Sequence, residues 1–309
     1  MLKRTRSFLV LVMLLMTVTM SAQVTTATMS GKVTAQDEPI IGATIVAIHE
    51  PSGTRYGTVT NVSGQFNLQG MRTGGPYKVE ISYVGYQTAI YKGINLLLGE
   101  NYVLNVSLKE SSELLDEVVV TASKESNMKS DRAGAIMNAN RDMISNTPTI
   151  SRSISDIMRL SPQGADVGNG FAVGGGNYRQ SFVTVDGAAF NNTFGLGGNL
   201  PANGSPISLD ALEQVTVAVT PFDVRQSGFT GGAINAVTRS GDNQFRGTAY
   251  MYFNNENLKG SKVDDYELLR SKAQYYTYGA SFGGPIIKDK LFFFVNGEYA
   301  VSYTHLTLP

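Results

Sequence analysis

Apolar and polar residues alternate strictly near both ends of the chain, and the alternation predicts strands there. Tyr77, Val79, Ile81 and Tyr83 are interleaved with Lys78, Glu80 and Ser82. Tyr102, Leu104, Val106 and Leu108 are interleaved with Asn105 and Ser107, with Val103 breaking the pattern. A period of two turns the apolar set to one face, as in a half-buried strand. Turn-forming clusters punctuate the region at Asp37-Glu38-Pro39, Pro51-Ser52-Gly53, Ser63-Gly64 and Gly74-Gly75-Pro76. Short strands between closely spaced turns predict a small β-sandwich over residues 24–110. Toward the other end, Phe245, Gly247, Ala249, Met251 and Phe253 alternate with Arg246, Thr248, Tyr250, Tyr252 and Asn254. Leu291, Phe293, Val295 and Tyr299 alternate with Phe292, Phe294, Asn296 and Glu298, and a strand from Gln274 to Phe282 lies between the two runs. Its Tyr276, Tyr278, Ala280 and Phe282 share one face. Strands of about ten residues with one apolar and one more polar face predict a transmembrane β-barrel that begins over 241–309.

The connections orient that barrel. A long polar stretch (255–273) joins the first two strands, and a short turn around Lys288-Asp289-Lys290 joins the next two. Outer-membrane barrels keep short turns on the periplasmic side. The first strand is therefore expected to run outward and the short turn to face the periplasm.

Residues 124–240 carry mixed signals that predict an α+β domain. Ile154, Ile157 and Met158 fall at helical spacing, Ser153 and Asp156 can form a capping box, and Pro162 ends the run. A glycine-rich stretch (164–176) follows, then a strand through Ser181-Phe182-Val183-Thr184-Val185 closed by Asp186-Gly187. A loop of glycine, asparagine and proline leads to strands at 207–217 and 233–239. The glycines match neither a dinucleotide fingerprint nor a Walker pattern, which argues against a nucleotide site.

Between the sandwich and this domain, residues 111–123 read as a linker holding Leu115-Asp116-Glu117-Val118-Val119-Val120-Thr121-Ala122-Ser123. Consecutive β-branched residues favour an extended backbone. Soft polar sequence flanks the run on both sides. Such a segment suits adding a strand to another protein's sheet; it also suits being an ordinary edge strand of a neighbouring domain.

Composition narrows the chemistry. Lys+Arg and Asp+Glu are equal at 25 each, so net charge suggests no nucleic-acid partner. There is no cysteine, and only His49 and His305 are present, which leaves no metal cluster, no cofactor site and no thiol nucleophile. No acid–base constellation for an enzyme is assembled. At the N-terminus, basic Lys3, Arg4 and Arg6 precede an apolar run from Phe8 to Val18, with small Ser21 and Ala22 after it. Residues 1–22 read as a secretory signal peptide.

Several of these motifs resemble known families. Gly31-Lys32-Val33, Pro39-Ile40-Ile41-Gly42-Ala43, Gly57-Thr58-Val59-Thr60-Asn61, Gly64-Gln65-Phe66, Gly75-Pro76-Tyr77 and Gly85-Tyr86 resemble the carboxypeptidase regulatory-like domain, which implies a non-catalytic periplasmic adaptor. Asp210, the aliphatic strand after it and Ile234-Asn235-Ala236-Val237-Thr238 resemble the end of the plug domain in TonB-dependent outer-membrane receptors. Thr149 to Ile154, Phe190 to Leu196 and Pro221-Phe222-Asp223-Val224-Arg225 are most similar to the Oar-like branch. SusC-type glycan importers share the domain order, but the run from Thr220 to Arg225 departs from their plug, so the resemblance leaves open whether a lipoprotein partner exists.

The resemblance implies a transporter that takes up a nutrient ligand across the outer membrane, with energy from TonB and its inner-membrane complex. It makes Asp116, Glu117, Val118, Val119, Val120, Thr121 and Ala122 the TonB box. It also turns the plug loop outward, where Asn191, Asn192, Asn199 and Asn203 are candidate ligand contacts. The competing readings are a barrel-anchored surface adhesin and a ligand-sensing receptor without transport. Plugged transporters need about 22 strands, so the barrel is expected to be truncated in this chain.

Overall fold

The computed structural model of the chain describes residues 25–110, 118–121, 136–149, 152–167, 170–190, 207–219, 231–258, 260, 262–263, 266–267 and 273–304. The expected signal peptide lies outside them.

The first domain packs two sheets face to face. Its strands in chain order are β1 (Ala27–Ala35), β2 (Glu38–Pro39), β3 (Thr44–His49), β4 (Thr54–Val59), β5 (Gln65–Met71), β6 (Gly74–Ser82), β7 (Ala89–Leu96), β8 (Asn101–Val103) and β9 (Val106–Ser107). One sheet has the order β2-β1-β5, with β8 and β9 parallel to β1. The other has the order β7-β6-β3-β4 and gains an edge strand, β10 (Val118–Thr121), parallel to β7. Tyr77, Val79 and Ile81 of β6 are fully buried against Met29, Val33 and Ile45, as their alternation requires. Tyr83 departs from the expected face and is 36% exposed, because β6 ends at Ser82. The second alternating run is broken into β8 and β9. Leu104, Val106 and Leu108 still reach the core, since backbone bonds from Leu104 to Ser30 and from Leu108 to Thr34 continue the pairing with β1.

The α+β domain contains β11 (Ile136–Asn140), β12 (Gly164–Asp166), β13 (Phe171–Val173), β14 (Phe182–Val185), β15 (Ala188–Ala189), β16 (Leu212–Ala218) and β17 (Ala233–Thr238). Its main sheet has the order β11-β16-β17-β14-β15, in which β14 and β17 are parallel. Helices α1 (Arg141–Asn146) and α2 (Ile154–Met158) pack against it. In α2 the anticipated capping box forms, with Ser153 N–H donating to Asp156 Oδ2 at 3.3 Å, and Ile154, Ile157 and Met158 are buried. Helix α1 was not anticipated: it spans six residues and buries only Ile144, too little to leave a period in the sequence.

The motif Ile234-x-x-x-Thr238 has a physical reading here. Ile234 is fully buried, and Asn235 Oδ1 accepts from Thr184 Oγ1 at 2.6 Å across the parallel pair. Asp186 sits at φ 48 and Gly187 at φ 81, a left-handed turn that aims the Asp186 carboxylate at Thr238. Thr238 donates its N–H and hydroxyl to that carboxylate at 2.8 and 2.7 Å.

The third region is an antiparallel sheet of β18 (Arg246–Asn255), β21 (Ala273–Ile287) and β22 (Leu291–Thr304), with the small hairpin β19 (Lys262–Val263) and β20 (Tyr266–Glu267) inside the long connection. The middle strand is longer than the sequence suggested, 15 residues. Register puts Gly247, Phe282 and Val295 side by side, then Ala249, Ala280 and Gly297, then Met251, Tyr278 and Tyr299, then Phe253, Tyr276 and Val301. Partners opposite each other share a face, so the whole expected apolar set lies on one surface of the sheet. Met251, Phe282, Val295 and Tyr299 on it are exposed. Aromatic rings cluster at its two ends, Phe245–Phe282–Phe293 near the short turn and Phe253–Tyr276–Tyr303 near the long connection. From Tyr276 to Phe282 the strand rises about 20 Å at ~3.4 Å per residue. An apolar outer band with aromatic margins is the pattern of a lipid-facing barrel wall. No helix among the described residues is long and apolar enough to cross a membrane.

Candidate functional site

The opposite face of the barrel sheet lies against the α+β domain, and its polar residues find partners there. Ser208 caps a 3-10 turn (Leu209–Ala211) by accepting from Asp210 N–H at 3.2 Å, which fixes the direction of the Asp210 side chain. Asp210 Oδ1 takes Arg141 Nη2 at 2.9 Å, with Arg239 Nη1 3.7 Å away. Its Oδ2 accepts from Thr248 Oγ1 of β18 at 2.6 Å, and Thr248 is 2.6 Å from Ser281 Oγ of β21. Burial alone would raise this carboxyl; hydrogen bonds from Ser281, Thr248 and Arg141, with the Arg141 charge, outweigh it and hold Asp210 below the usual carboxylate range.

Two further links cross the same seam. Ser208 Oγ donates to Glu298 Oε2 of β22 at 3.0 Å, and the Tyr250 hydroxyl donates to the same oxygen. The Arg152 guanidinium lies 4.5 Å from the Tyr250 ring centre and 4.2 Å from that of Tyr252, and donates to the Tyr252 hydroxyl at 2.7 Å. A groove of about 390 Å³ runs along these residues, lined by Arg141, Arg152, Asp210, Tyr250 and Tyr252 among others. The arrangement joins the α+β domain to the barrel sheet and, among the described residues, provides no nucleophile–base pair. Among the described residues no cluster of three or more acidic or histidine side chains could hold a metal.

A second junction ties the first domain to the other two. Leu98, just past β7, donates its N–H to Gln214 Oε1 of β16 at 3.0 Å. Arg72 donates to Ser240 Oγ, and Asn243 N–H donates to the Pro51 carbonyl at 2.9 Å. Asn243 and Asp289 exchange two hydrogen bonds of 2.8 Å, so the short barrel turn stands at the end where the first domain docks. Glu213 sits beside Gly74 at this junction. Burial pushes its carboxyl up, against the pull of Arg239, Arg141 and Arg72.

Of the anticipated site residues, Val118, Val119, Val120 and Thr121 form β10, in register with Ala89, Ile90, Tyr91 and Lys92 of β7. The backbone expected to be free is thus engaged along one side, while the other side is the end of the sheet. Asp116, Glu117 and Ala122 lie outside the described residues, as do Asn191, Asn192, Asn199 and Asn203. The seam residues Arg141, Arg152, Tyr250 and Glu298 were not singled out from sequence, since their partners are tens of residues away and no local spacing marks them.

Comparison with known proteins places these parts. Residues 28–109 match the carboxypeptidase regulatory-like domain, and residues 237–306 match an outer membrane beta barrel domain. Half of the chain is 31% identical, over 161 residues, to the TonB-dependent transporter Oar of Myxococcus xanthus, covering 14% of that protein. Over 269 residues, 82% of the chain, it is 29% identical to the TonB-dependent receptor SusC of Bacteroides thetaiotaomicron, covering 24% of it. Among solved structures, the siderophore receptor PirA from Acinetobacter baumannii aligns with 54% of this chain at 20% identity and a TM-score of 0.43, covering 24% of that chain. The chain spans 14% and 24% of the lengths of the two curated relatives. These relatives are transporters and receptors, not enzymes, and the barrel match sets the protein in the outer membrane of a Gram-negative bacterium. The chain thus carries a carboxypeptidase regulatory-like domain and the strands of an outer membrane beta barrel domain, and over the span it shares with them it is similar to TonB-dependent transporters and receptors.

Proposed function

We propose that the complete receptor takes up a nutrient ligand across the outer membrane with energy delivered by TonB and its inner-membrane complex. The observation that carries this reading is the position of Val118–Thr121: an extended strand at the end of a sheet of the first domain, with no strand on its outer side among the described residues. The outer membrane has no nucleotide supply, so work on the plug must arrive mechanically. An edge strand offers a row of unpaired N–H and C=O groups to a strand from another protein. Asp116, Glu117 and Ala122 flank it and complete the stretch that TonB would grip. Asn191, Asn192, Asn199 and Asn203, in the stretch rich in glycine and asparagine, are proposed to meet the ligand.

The pairing of β10 with β7 also favours one rival, in which 118–121 is an ordinary sandwich strand and the plug is a fixed stopper in a barrel-anchored adhesin or sensor. Deleting Glu117 to Thr121 from the complete receptor separates the two. Energised uptake should vanish while ligand binding at the cell surface persists. Uptake by the deletion equal to that of the parent would overturn the transport reading.

A further inference from the structure

The first domain holds, at the end of one of its sheets, the strand proposed above as the TonB-binding stretch. Val118–Thr121 is ordered as the fifth strand of the sheet β10-β7-β6-β3-β4, parallel to β7 and at the sheet's end. Behind it, Ala89 and Ile90 of β7 are buried in the domain. The platform is itself anchored: Leu98, two residues past β7, is bonded to Gln214 of the plug, and Pro51 to Asn243 at the barrel turn.

We infer that the regulatory-like domain is the docking platform for TonB, which adds its strand to the open edge of β10 and extends this sheet by one. The inference rests on reading 116–122 as the TonB-binding stretch, and it adds the domain beneath that stretch to the interface. Two physical reasons favour addition at the open edge over capture of a strand pulled off β7. Capture would trade the β10–β7 backbone bonds for new ones of the same kind, whereas edge addition keeps both sets. A strand already held extended has also lost its conformational freedom before TonB arrives, so binding does not bear that entropy. The geometry has a mechanical consequence. A pull on β10 reaches the plug through the segment that follows it and, in parallel, through β7 and the Leu98–Gln214 bond.

The test measures the affinity of the isolated TonB periplasmic domain for the purified complete receptor. Val120 and Tyr91 are register partners, and the chain has no cysteine of its own, so Val120→Cys with Tyr91→Cys can pin β10 to β7 by a disulfide. Oxidised and reduced forms of this one protein should bind TonB equally, the substitutions themselves cancelling in the comparison. Removal of residues 24–110 should weaken binding by about tenfold or more, because the strand then has to be ordered on binding. Binding that is lost on oxidation and regained on reduction would show that TonB must strip the strand from β7, and would overturn the inference. Undiminished affinity without the domain would overturn it as well. The deletion of Glu117 to Thr121 serves as the control: if TonB still binds that variant, the TonB-box reading itself has failed, and the platform with it.

Discussion

The sandwich packs two five-stranded sheets and the plug is built on one, but their interiors are made of different material. The sandwich packs Met29, Ile45, Phe66, Tyr77 and Ile81 against one another, and among its described residues the buried polar groups are few: His49, Ser52, Thr60 and Thr73. The plug carries polar pairs through its sheet, Asn138 with Thr216 and Asn235 with Thr184, and ends in the charged seam around Asp210. An apolar core comes apart only as a whole, because each exposed side chain loses contacts that water does not replace. A hydrogen-bonded seam can part bond by bond if water enters to take over its donors and acceptors. The difference suits the proposed roles, a platform that would stay whole under load and a plug that would let go of its wall.

That contrast can be broken at its apolar side with the largest effect. Tyr77 is fully buried, and its hydroxyl donates to the Arg72 carbonyl at 2.7 Å. Tyr77→Ala should cost the sandwich about 3–5 kcal/mol, the range for an aromatic removed from a core. Calorimetry of the complete receptor should show the first domain melting earlier while the barrel transition stays in place.

On the polar side, Asp210→Asn takes away the carboxylate that Arg141 and Arg239 share. Breaking a fully buried pair costs more, but Arg141 keeps 27% of its side chain in solvent, so a loss of about 2 kcal/mol is expected. The readout is earlier exposure of the seam to proteolysis, with the sandwich transition unchanged. A shift of the sandwich by the same amount would mean the two regions are one cooperative unit.

The third change does least at neutral pH and sharpens the comparison under acid. Burial first, and Arg72 second, lower His49 to about 4, against a smaller opposing pull from Asp242. Above pH 6.5 His49 is neutral whether the domain is folded or not. As pH falls from 6.5 toward 4, the unfolded chain binds a proton that the folded domain refuses, so stability falls through that window. The Asp210 carboxyl behaves otherwise: its folded value is depressed, so its contribution is complete above about 3.9, the unfolded value, and is lost only in stronger acid. Mild acid near pH 5 should therefore weaken the sandwich and spare the seam. Thermal melts of the receptor across this range should show the slope, and His49→Gln should flatten it whatever it does to the level.

Much of the fold was legible because it is written in local periods. Alternation around Tyr77 and around Met251 marks one face of a strand, and the register then sets those faces side by side. Ser153 and Asp156 announce a helix end within four residues. The failures are equally physical. Tyr83 follows the alternation but falls past the end of its strand, where pairing with its neighbour stops. Helix α1 is too short to express a period, and its Asn140 cap, bonded to Met143 N–H at 2.9 Å, stands without an apolar run behind it.

Local pattern specifies which segments are extended, which of their faces are apolar, and that the run Val118-Val119-Val120-Thr121 is a strand in need of a neighbour. Which neighbour it takes is settled by the packing of the whole chain. Backbone hydrogen bonds are the same for every residue type, so a strand's composition says that it will pair but not with what. The choice of β7 depends on where the sandwich leaves an edge open, and that edge is fixed by packing of residues dozens of positions earlier. The seam is decided in the same way. Asp210, Arg141 and Thr248 are unremarkable one at a time along the chain, and become a charged, buried junction only when plug and wall bring them within 3 Å.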